Sequence, residues 1–426
     1  MICIRLARAV AIALLLLVNN ILAFSQARNP LQYLEVLDSA RIRSPKGRVH
    51  AYSHFDVEFD LRSPQQNVRL SLEPNHDVIG DGATISYIGS DGSVMHAEVI
   101  DRLEHKVFKG VAQVLSVDGS WINAGWARIT VLRDGIRPLL EGAFSINHDN
   151  HHIQMSSSYM RTKHASDPDL KEEDDDEFMV LFKDSDVQQQ SQSVLKRGLS
   201  DSQCSSHQLE FNSRLDHPIY TGVVNKDDGE WGSMSFASMF GKRQIDTQSS
   251  GNQAGVNLTN SIGQSVGCPT TRRVALVGVA TDCGYTATFN STQTARQNVI
   301  QVMNAASSVY ESTFNISLGL QNLTIMPADC PGTSQASTPW NRDCGSGLDI
   351  TDRLNLFSGW RGTLQDTNSH WTLMTSCNTG DTVGLAWLGQ ACNHGALTAN
   401  TTGGGSETVS GANVVALTST EWQVVA

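Results

Sequence analysis

The spacing of apolar residues changes near Arg272, and this change constrains the fold more than any other feature of the chain. From about Leu31 to Thr162 apolar and polar residues alternate, as they do from Phe55 to Leu61, which is typical of strands with one buried face. After Arg272 a continuous apolar run, 274–280, is followed by helical spacing over 299–310 and by further strand-like runs. We therefore predict an α+β chain, with a β-rich N-terminal domain followed by an α/β domain that has a largely parallel sheet.

Four Asp-Gly pairs support antiparallel pairing in the first domain, because both residues adopt a positive φ at low cost. They lie at 81–82, 91–92, 118–119 and 134–135.

At the other end of the chain, residues 418–421 have the pattern of a capping box at the start of a helix, with Thr418 as the N-cap and Glu421 at the third helical position.

A linker-like region separates the two patterned parts. It holds an acidic run at 171–177, and its Gln/Ser- and Ser/Gly-rich stretches contain too few apolar residues to build a core. We therefore divide the chain into 26–165, a linker at 166–267, and 268–426. Two dibasic pairs in this linker, Lys196-Arg197 and Lys242-Arg243, are candidate cleavage sites for a kexin- or furin-type processing protease.

The N-terminus predicts a signal peptide at residues 1–25. Arg5 and Arg8 precede an apolar run that is too short to span a bilayer, and Ala23 and Ser25 suit a cleavage site. No later segment has the length of a membrane helix, so we expect a secreted protein, membrane-anchored only in a longer form. The formal charge of −12 argues against a nucleic-acid partner, which would require a basic face.

The cysteines and sequons agree with secretion. Six of the seven cysteines after residue 25 lie between 268 and 392, as expected for disulfides formed in an oxidising compartment. Cys330 and Cys344 bracket a short turn-rich loop, so we predict that they pair with each other. Candidate N-glycosylation sites are Asn257, Asn290, Asn315, Asn322 and Asn400.

Three segments of the C-terminal domain, 273–282, 384–389 and 412–426, together resemble parts of the catalytic domain of the ADAM-type (adamalysin or reprolysin) zinc metalloproteinases. Arg273 to Asp282 resembles the first strand of those domains, and Ala412 to Ala426 resembles the approach to their zinc-binding helix. Gly384-Leu385-Ala386-Trp387-Leu388-Gly389 resembles the edge strand on which the family binds peptide substrates. The resemblance implies a metzincin-like domain preceded by a propeptide, covering roughly residues 50–426.

The resemblance also implies zinc, bound by an H-E-x-x-H-x-x-G-x-x-H motif that would follow Ala426. The chain contains no H-E-x-x-H. We therefore expect it to be truncated before the zinc helix, to hold no catalytic or metal-ligating set, and to be inactive as given. His148, His151 and His152 read as a surface loop rather than as ligands. Ala275 stands where the family has a calcium-site Glu, which argues against calcium.

Two cysteine assignments follow from the same resemblance. It pairs a cysteine near the first strand, Cys283 or Cys268, with Cys377, and leaves Cys392 without a partner. Cys204 is a candidate cysteine switch, the thiol with which the family's propeptide ligates zinc, although the usual P-K-M-C-G context is absent and a structural thiol is the alternative.

The leading functional hypothesis is a secreted zinc metalloendopeptidase zymogen that hydrolyses peptide bonds of proteins. The alternative is a non-catalytic secreted glycoprotein that binds peptides or a protein partner. Without the resemblance, Gly384–Gly389 would read as an ordinary half-buried strand.

Overall fold

A computed structural model describes residues 29–45, 47–170, 177–188, 203–204, 206–213, 252–253, 256–257, 269–380 and 382–426. The predicted signal peptide, both dibasic pairs, Cys268 and most of the predicted linker lie outside these residues. The processing sites therefore stay predictions, and so does the linker apart from residues 179–183, which form a largely buried strand of the first large sheet.

The described strands fall into two large sheets and two small hairpins. The strands are β1 (Glu35–Val36), β2 (Arg41–Arg43), β3 (Phe55–Arg62), β4 (Gln65–Pro74), β5 (Ile79–Ile88), β6 (Val94–Val99), β7 (Val107–Leu115), β8 (Trp121–Arg133), β9 (Leu139–Ile146), β10 (Asp149–Met155), β11 (Met179–Lys183), β12 (Gln203–Cys204), β13 (Asn252–Gln253), β14 (Val256–Asn257), β15 (Arg273–Thr281), β16 (Ile316–Ile325), β17 (His370–Thr375), β18 (Thr382–Ala386), β19 (Leu397–Asn400), β20 (Ser406–Val409) and β21 (Ala412–Ala416). The described α-helices are α1 (Ser156–Thr162), α2 (Glu210–Ser213), α3 (Cys283–Thr288), α4 (Thr292–Phe314), α5 (Ile350–Arg361) and α6 (Glu421–Val425).

The N-terminal alternation forms a nine-stranded antiparallel sheet in the order β1-β11-β10-β9-β8-β7-β4-β3-β2. In β3 the side chains of Phe55, Val57, Phe59 and Leu61 are all buried, because alternate side chains of a strand face the same side. Three of the four Asp-Gly pairs lie in turns between strands, whereas Gly82 lies within β5, so the hairpin prediction for that pair is wrong.

The second sheet is largely parallel, as predicted, in the order β12-β18-β21-β17-β15-β16-β5-β6. Only its β18–β21 and β5–β6 pairs are antiparallel. Its last two strands come from the N-terminal region, and β5 runs parallel to β16 with Ile85 opposite Leu323. The boundaries drawn at 26–165 and 268–426 therefore divide one sheet.

Helix α4 packs between the two large sheets. Ser291 caps its first turn by accepting a hydrogen bond from the Thr294 N–H, and Asn315 ends it in the left-handed conformation. The buried face of α4 lies in a hydrophobic core that the N-terminal and C-terminal regions share. In this core Met303 of α4 belongs to the same buried cluster as Val277 of β15 and Ile85 of β5. Neither region could keep this core if the other were removed.

The disulfides differ in their pairing from the prediction. Cys283 bonds to Cys330 and Cys344 bonds to Cys377, with Cα–Cα distances of 5.1 and 5.0 Å. The predicted Cys330–Cys344 pair is therefore wrong. Cys377 pairs with neither Cys283 nor Cys268, so both alternatives given for it are wrong as well, although Cys283, Cys330, Cys344 and Cys377 are all in disulfides. Cys392 is free and exposed, as the resemblance implied. The loop between Cys330 and Cys344 is instead held by two disulfides, one to Cys283 at the start of α3 and one to Cys377 just after β17.

The predicted capping box does not form. Helix α6 starts at Glu421 with Thr420 at its N-cap position, and no side chain caps it. Glu421 is directed into the core instead of back to the N-cap. Across the described residues, no helix is both long and apolar enough to span a membrane.

Candidate functional site

The segment that resembles a substrate-binding edge strand is only partly a strand. Strand β18 contains Gly384, Leu385 and Ala386, whereas Trp387, Leu388 and Gly389 follow its end, and Gly389 has a φ of 67°. The Trp387 ring is buried and its Nε1–H donates to Ser358 Oγ at 2.7 Å. One side of β18 pairs with β21, with Gly384 opposite Val415.

The other side of β18 is occupied by an upstream piece of the same chain, residues 203–204 and 206–213, which we call the blocking segment. The backbone of its strand β12 runs parallel to β18, with Cys204 opposite Gly384. The Ala386 N–H then donates to Ser206 Oγ at 3.0 Å.

Asn212 completes this pairing with its side-chain amide. Its Nδ2 donates to the Ala386 carbonyl at 2.8 Å, and its Oδ1 accepts from the Leu388 N–H at 2.7 Å. Asn212 is fully buried, so both bonds are shielded from water. The amide therefore does for Ala386 and Leu388 what the backbone of a neighbouring strand would do.

Further contacts anchor the blocking segment. The Glu407 carboxylate accepts hydrogen bonds from the backbone N–H groups of Glu210 and Phe211 at 2.8 and 2.7 Å. The Phe211 ring meets Trp387 edge to face with centroids 6.0 Å apart. Hydrogen bonds to its backbone and a ring contact at Phe211 therefore both hold the blocking segment in place.

Helix α6 contacts the N-terminal region through His152 and Asp184. His152 Nε2 lies 2.8 Å from Asp184 Oδ1, and its Nδ1 accepts from Trp422 Nε1–H at 3.3 Å. Gln423 Nε2 donates to the same Asp184 carboxylate at 2.9 Å. Burial alone would raise the pKa of Asp184, but the hydrogen bonds from His152 and its other donors hold that pKa below its ordinary value.

Glu421 is buried at the start of α6. Its Oε2 accepts from Tyr285 OH and from Asn298 Nδ2, both at 3.0 Å. Burial raises the pKa of this carboxyl to about 8, because the hydrogen bonds and the charge of Arg161 only partly offset the loss of water. At neutral pH the side chain is therefore mostly protonated.

Ion pairs cross the boundary between the N-terminal and C-terminal regions. The Arg128 guanidinium of β8 lies 2.7 Å from the Glu311 carboxylate of α4, and both side chains are buried. Arg272 contacts the same carboxylate at 2.5 Å. Near the start of α4, Arg296 pairs with Glu98 of β6 at 3.0 Å.

The donor set for a zinc ion is not assembled here. No group of three His, Cys, Asp or Glu side chains that could hold a metal ion lies among the described residues. His370 is half-buried, and the loss of water around it together with the charge of Arg361 lowers its pKa to about 4. The surface-loop interpretation of the histidine cluster is wrong for His151 and His152, which are buried in β10, and fits only His148, in the turn before it.

Comparison with known proteins bears directly on this arrangement. The model of metallo-peptidase family M12 matches residues 270–426. The disintegrin and metalloproteinase domain-containing protein B of Aspergillus fumigatus is 47% identical over 428 residues, covering 98% of this chain and 53% of that protein. Its namesake in Arthroderma otae is 41% identical over 417 residues, covering 96% of this chain and 52% of that protein.

The chain belongs to the ADAM-type metalloproteinase family. It spans about half the length of these two relatives. A zinc metalloprotease of Schizosaccharomyces pombe, mde10, is also similar, at 27% identity over 85 residues, covering 20% of this chain and 16% of that protein. Residues 1–269 lie outside the family-model match, whereas the two longer similarities cover 98% and 96% of the chain and so include most of these residues.

The candidate glycosylation sites of this ADAM-type chain differ in their surroundings. Asn290 and Asn400 are exposed. Asn315 Nδ2 donates to the Pro269 carbonyl at 2.8 Å, and Asn322 Nδ2 donates to Thr84 Oγ1 at 3.0 Å, so a glycan at either nitrogen would have to displace a hydrogen bond. Asn257 lies on β14.

The residues of this site that sequence reasoning missed carry no local signal. They are Ser206, Asn212, His152 and Glu421. Each bonds to residues more than 100 positions away, so no spacing rule connects them. The similarity of nearly the whole chain to a single relative is the signal that these N-terminal residues and the protease scaffold occur together in one protein.

Proposed function

We propose that this chain forms the propeptide and the substrate-binding scaffold of a secreted zinc metalloendopeptidase zymogen, which cleaves peptide bonds in proteins. The family membership and the names of the relatives support the reaction class. The described residues do not fit a zinc site, so the proposal gives this stretch of chain no zinc ligand and no step through the metal.

One observation carries the zymogen part of the proposal: the blocking segment occupies the outer edge of β18. A peptide that adds a strand to a sheet binds through main-chain N–H and C=O groups. At Ala386 and Leu388 those groups are already bonded to Ser206 and Asn212. A substrate strand could therefore bind only after residues 203–213 leave.

The two dibasic pairs would differ in their effect on this block. Lys242-Arg243 lies between the blocking segment and β15, so cleavage there would cut the covalent link to the protease scaffold. Lys196-Arg197 lies upstream of residue 203, so cleavage there would leave the blocking segment attached to the protease scaffold. We propose that the downstream pair is the activating site, and that Cys204, placed beside Gly384, is the propeptide thiol.

Peptide binding tests this proposal. A fluorescein-labelled insulin B chain, as an extended probe peptide, should bind the chain after kexin-type cleavage at Lys242-Arg243 and not before. Asn212→Ala should allow partial binding without cleavage, because it releases the Ala386 carbonyl and the Leu388 N–H. Gln208→Ala, an exposed position of the same segment, is the matched control and should behave as the parent chain.

Hydrogen exchange of the peptide that covers residues 384–389 adds a second measurement. Asn212→Ala should speed exchange there, and Gln208→Ala should not. Probe binding of equal strength in the uncleaved parent chain and in Asn212→Ala would contradict the blocking role. The alternative function, a non-catalytic peptide-binding glycoprotein, predicts the same binding with no cleaved products when metal is added to the longer protein.

A further inference from the structure

Strand β6 is an open edge of the second sheet. Strand β5 lies on one side of it, and within the described parts of the chain no strand lies on the other. The other terminal strands of the two large sheets, β1, β2 and β12, have only two or three residues, whereas β6 has six. Long uncovered edges are the ones that pair with other chains.

The β6 edge lacks the residues that usually prevent such pairing. Its sequence, Val-Met-His-Ala-Glu-Val, contains neither lysine nor proline. Met95 and Val99 are 70% and 65% exposed, and a bulge affects only its N-terminal end, opposite Tyr87 and Ile88. The edge is therefore regular from His96 onward and exposes the apolar side chains of Met95 and Val99.

The pattern of hydrogen bonds determines which backbone groups face outward. Ile100 N–H donates to the Ala83 carbonyl at 2.8 Å, in register with the β5–β6 ladder. Because inward and outward pairs alternate in an antiparallel ladder, the N–H and C=O groups of Val99 and Ala97 face away from β5. Any strand that extends the sheet must bond to these two residues.

We propose that β6 pairs antiparallel with β6 of a second copy of this chain, about a two-fold axis at Ala97. This register places His96 opposite Glu98 of the partner subunit, and Met95 opposite Val99 of the partner subunit. An imidazole–carboxylate pair and an apolar pair thus each occur twice, since a two-fold interface repeats every contact, while Glu98 Oε1 stays paired with Arg296 of its own chain.

Neighbouring registers are less favourable. A two-fold axis at Glu98 places two carboxylates directly opposite each other, and an axis at His96 places two histidines opposite each other. The side chains therefore select the register centred on Ala97. Each chain has a formal charge of −12, so the pairing works against long-range repulsion, and dimerisation should strengthen as salt rises from low to physiological concentration.

Cysteine cross-linking tests both the dimer and its register. In a Cys392→Ser background, which removes the exposed thiol, Ala97→Cys should form a disulfide-linked dimer under mild oxidation, because Cα atoms of paired residues are about 5.5 Å apart. His96→Cys and Glu98→Cys should cross-link at least tenfold more slowly, since each lies one register away. The Cys392→Ser chain alone is the control and should not cross-link at this rate.

Sedimentation of the full chain gives an independent result. The parent should show a concentration-dependent dimer, and Ala97→Pro should be monomeric, because proline removes an N–H that faces away from β5 and leaves the β5–β6 ladder intact. Faster cross-linking at 96 or 98 than at 97 would overturn the proposal. So would a monomeric parent with no Ala97→Cys cross-link, or a dimer that Ala97→Pro does not weaken.

Discussion

Replacing Glu421 with glutamine should change how the stability of this chain depends on pH. The carboxyl is enclosed at the start of α6, where Tyr285 OH and Asn298 Nδ2 both donate to its Oε2. Its Oε1 has no hydrogen-bond partner among the described residues. Glutamine has the same shape as the protonated acid and can accept the same two hydrogen bonds, but it does not ionise.

The magnitude follows from the two pKa values of this carboxyl. In the folded chain the pKa is raised to about 8 by burial, against an ordinary value of 4.5. Between these two pH values the folded state holds a proton that the unfolded state has lost, so the free energy of unfolding falls as pH rises. At about 1.4 kcal/mol for each pH unit, the loss reaches roughly 5 kcal/mol by pH 8 and does not grow further above it. Below pH 4.5 both states are protonated and the loss is absent.

Urea unfolding of the parent chain and of Glu421→Gln from pH 5 to pH 9 measures this difference. The two midpoints should nearly coincide at pH 5, and the variant should become more stable by several kcal/mol at pH 9. Glu73→Gln, which changes an exposed carboxylate, is the control and should follow the parent at every pH. A difference between Glu421→Gln and the parent that is independent of pH would refute the reasoning, because it would mean that Glu421 keeps an ordinary pKa in the fold.

Three further predictions concern the packing, the covalent links and the chemistry. Arg128→Met should destabilise the chain by about 3 kcal/mol in urea unfolding, because it leaves Glu311 buried without its closest enclosed partner, and Arg272→Met should cost less because Arg272 is partly exposed. Equal losses for the two variants would contradict this assignment. Peptide mapping under non-reducing conditions should find Cys283 linked to Cys330 and Cys344 linked to Cys377; a Cys330–Cys344 peptide would contradict the fold near β15. The chain produced without residues 1–25 should show no chelator-sensitive cleavage of casein above a mock preparation, because its described residues hold no set of three zinc ligands; activity that co-purifies with the chain would show otherwise.

Much of the local structure could be predicted from the chain alone. Apolar residues two apart in β3 and the continuous run in β15 were sufficient to predict strands, because the period of burial depends on neighbours within a few residues. The same holds for the helical spacing in α4 and for the Asp-Gly turns at 91–92, 118–119 and 134–135. The capping box at Thr418 failed because burying Glu421 beside Tyr285 competes with a local bond to the helix start.

The candidate site could be predicted only in part. Gly384, Leu385 and Ala386 form a strand as predicted, but β12 lies beside it, and nothing near these residues in sequence indicates that Asn212 would bond to them. A buried asparagine has no spacing rule, since its partners are backbone groups of any residue that the fold brings to it. The pairing of the cysteines escaped prediction for the same reason, because loop length favours a near partner and the folded backbone brought a distant one within reach.

The sequence by itself determined where strands and helices form and which face of each is apolar, since these depend on side chains a few positions apart. Only the tertiary structure decided which elements are neighbours. It placed β5 of the N-terminal region beside β16, the blocking segment beside β18, and Glu421 beside a tyrosine 136 positions away. An exposed strand edge accepts any strand with a matching apolar face, so the choice among partners depends on the packing of the whole chain rather than on any local pattern.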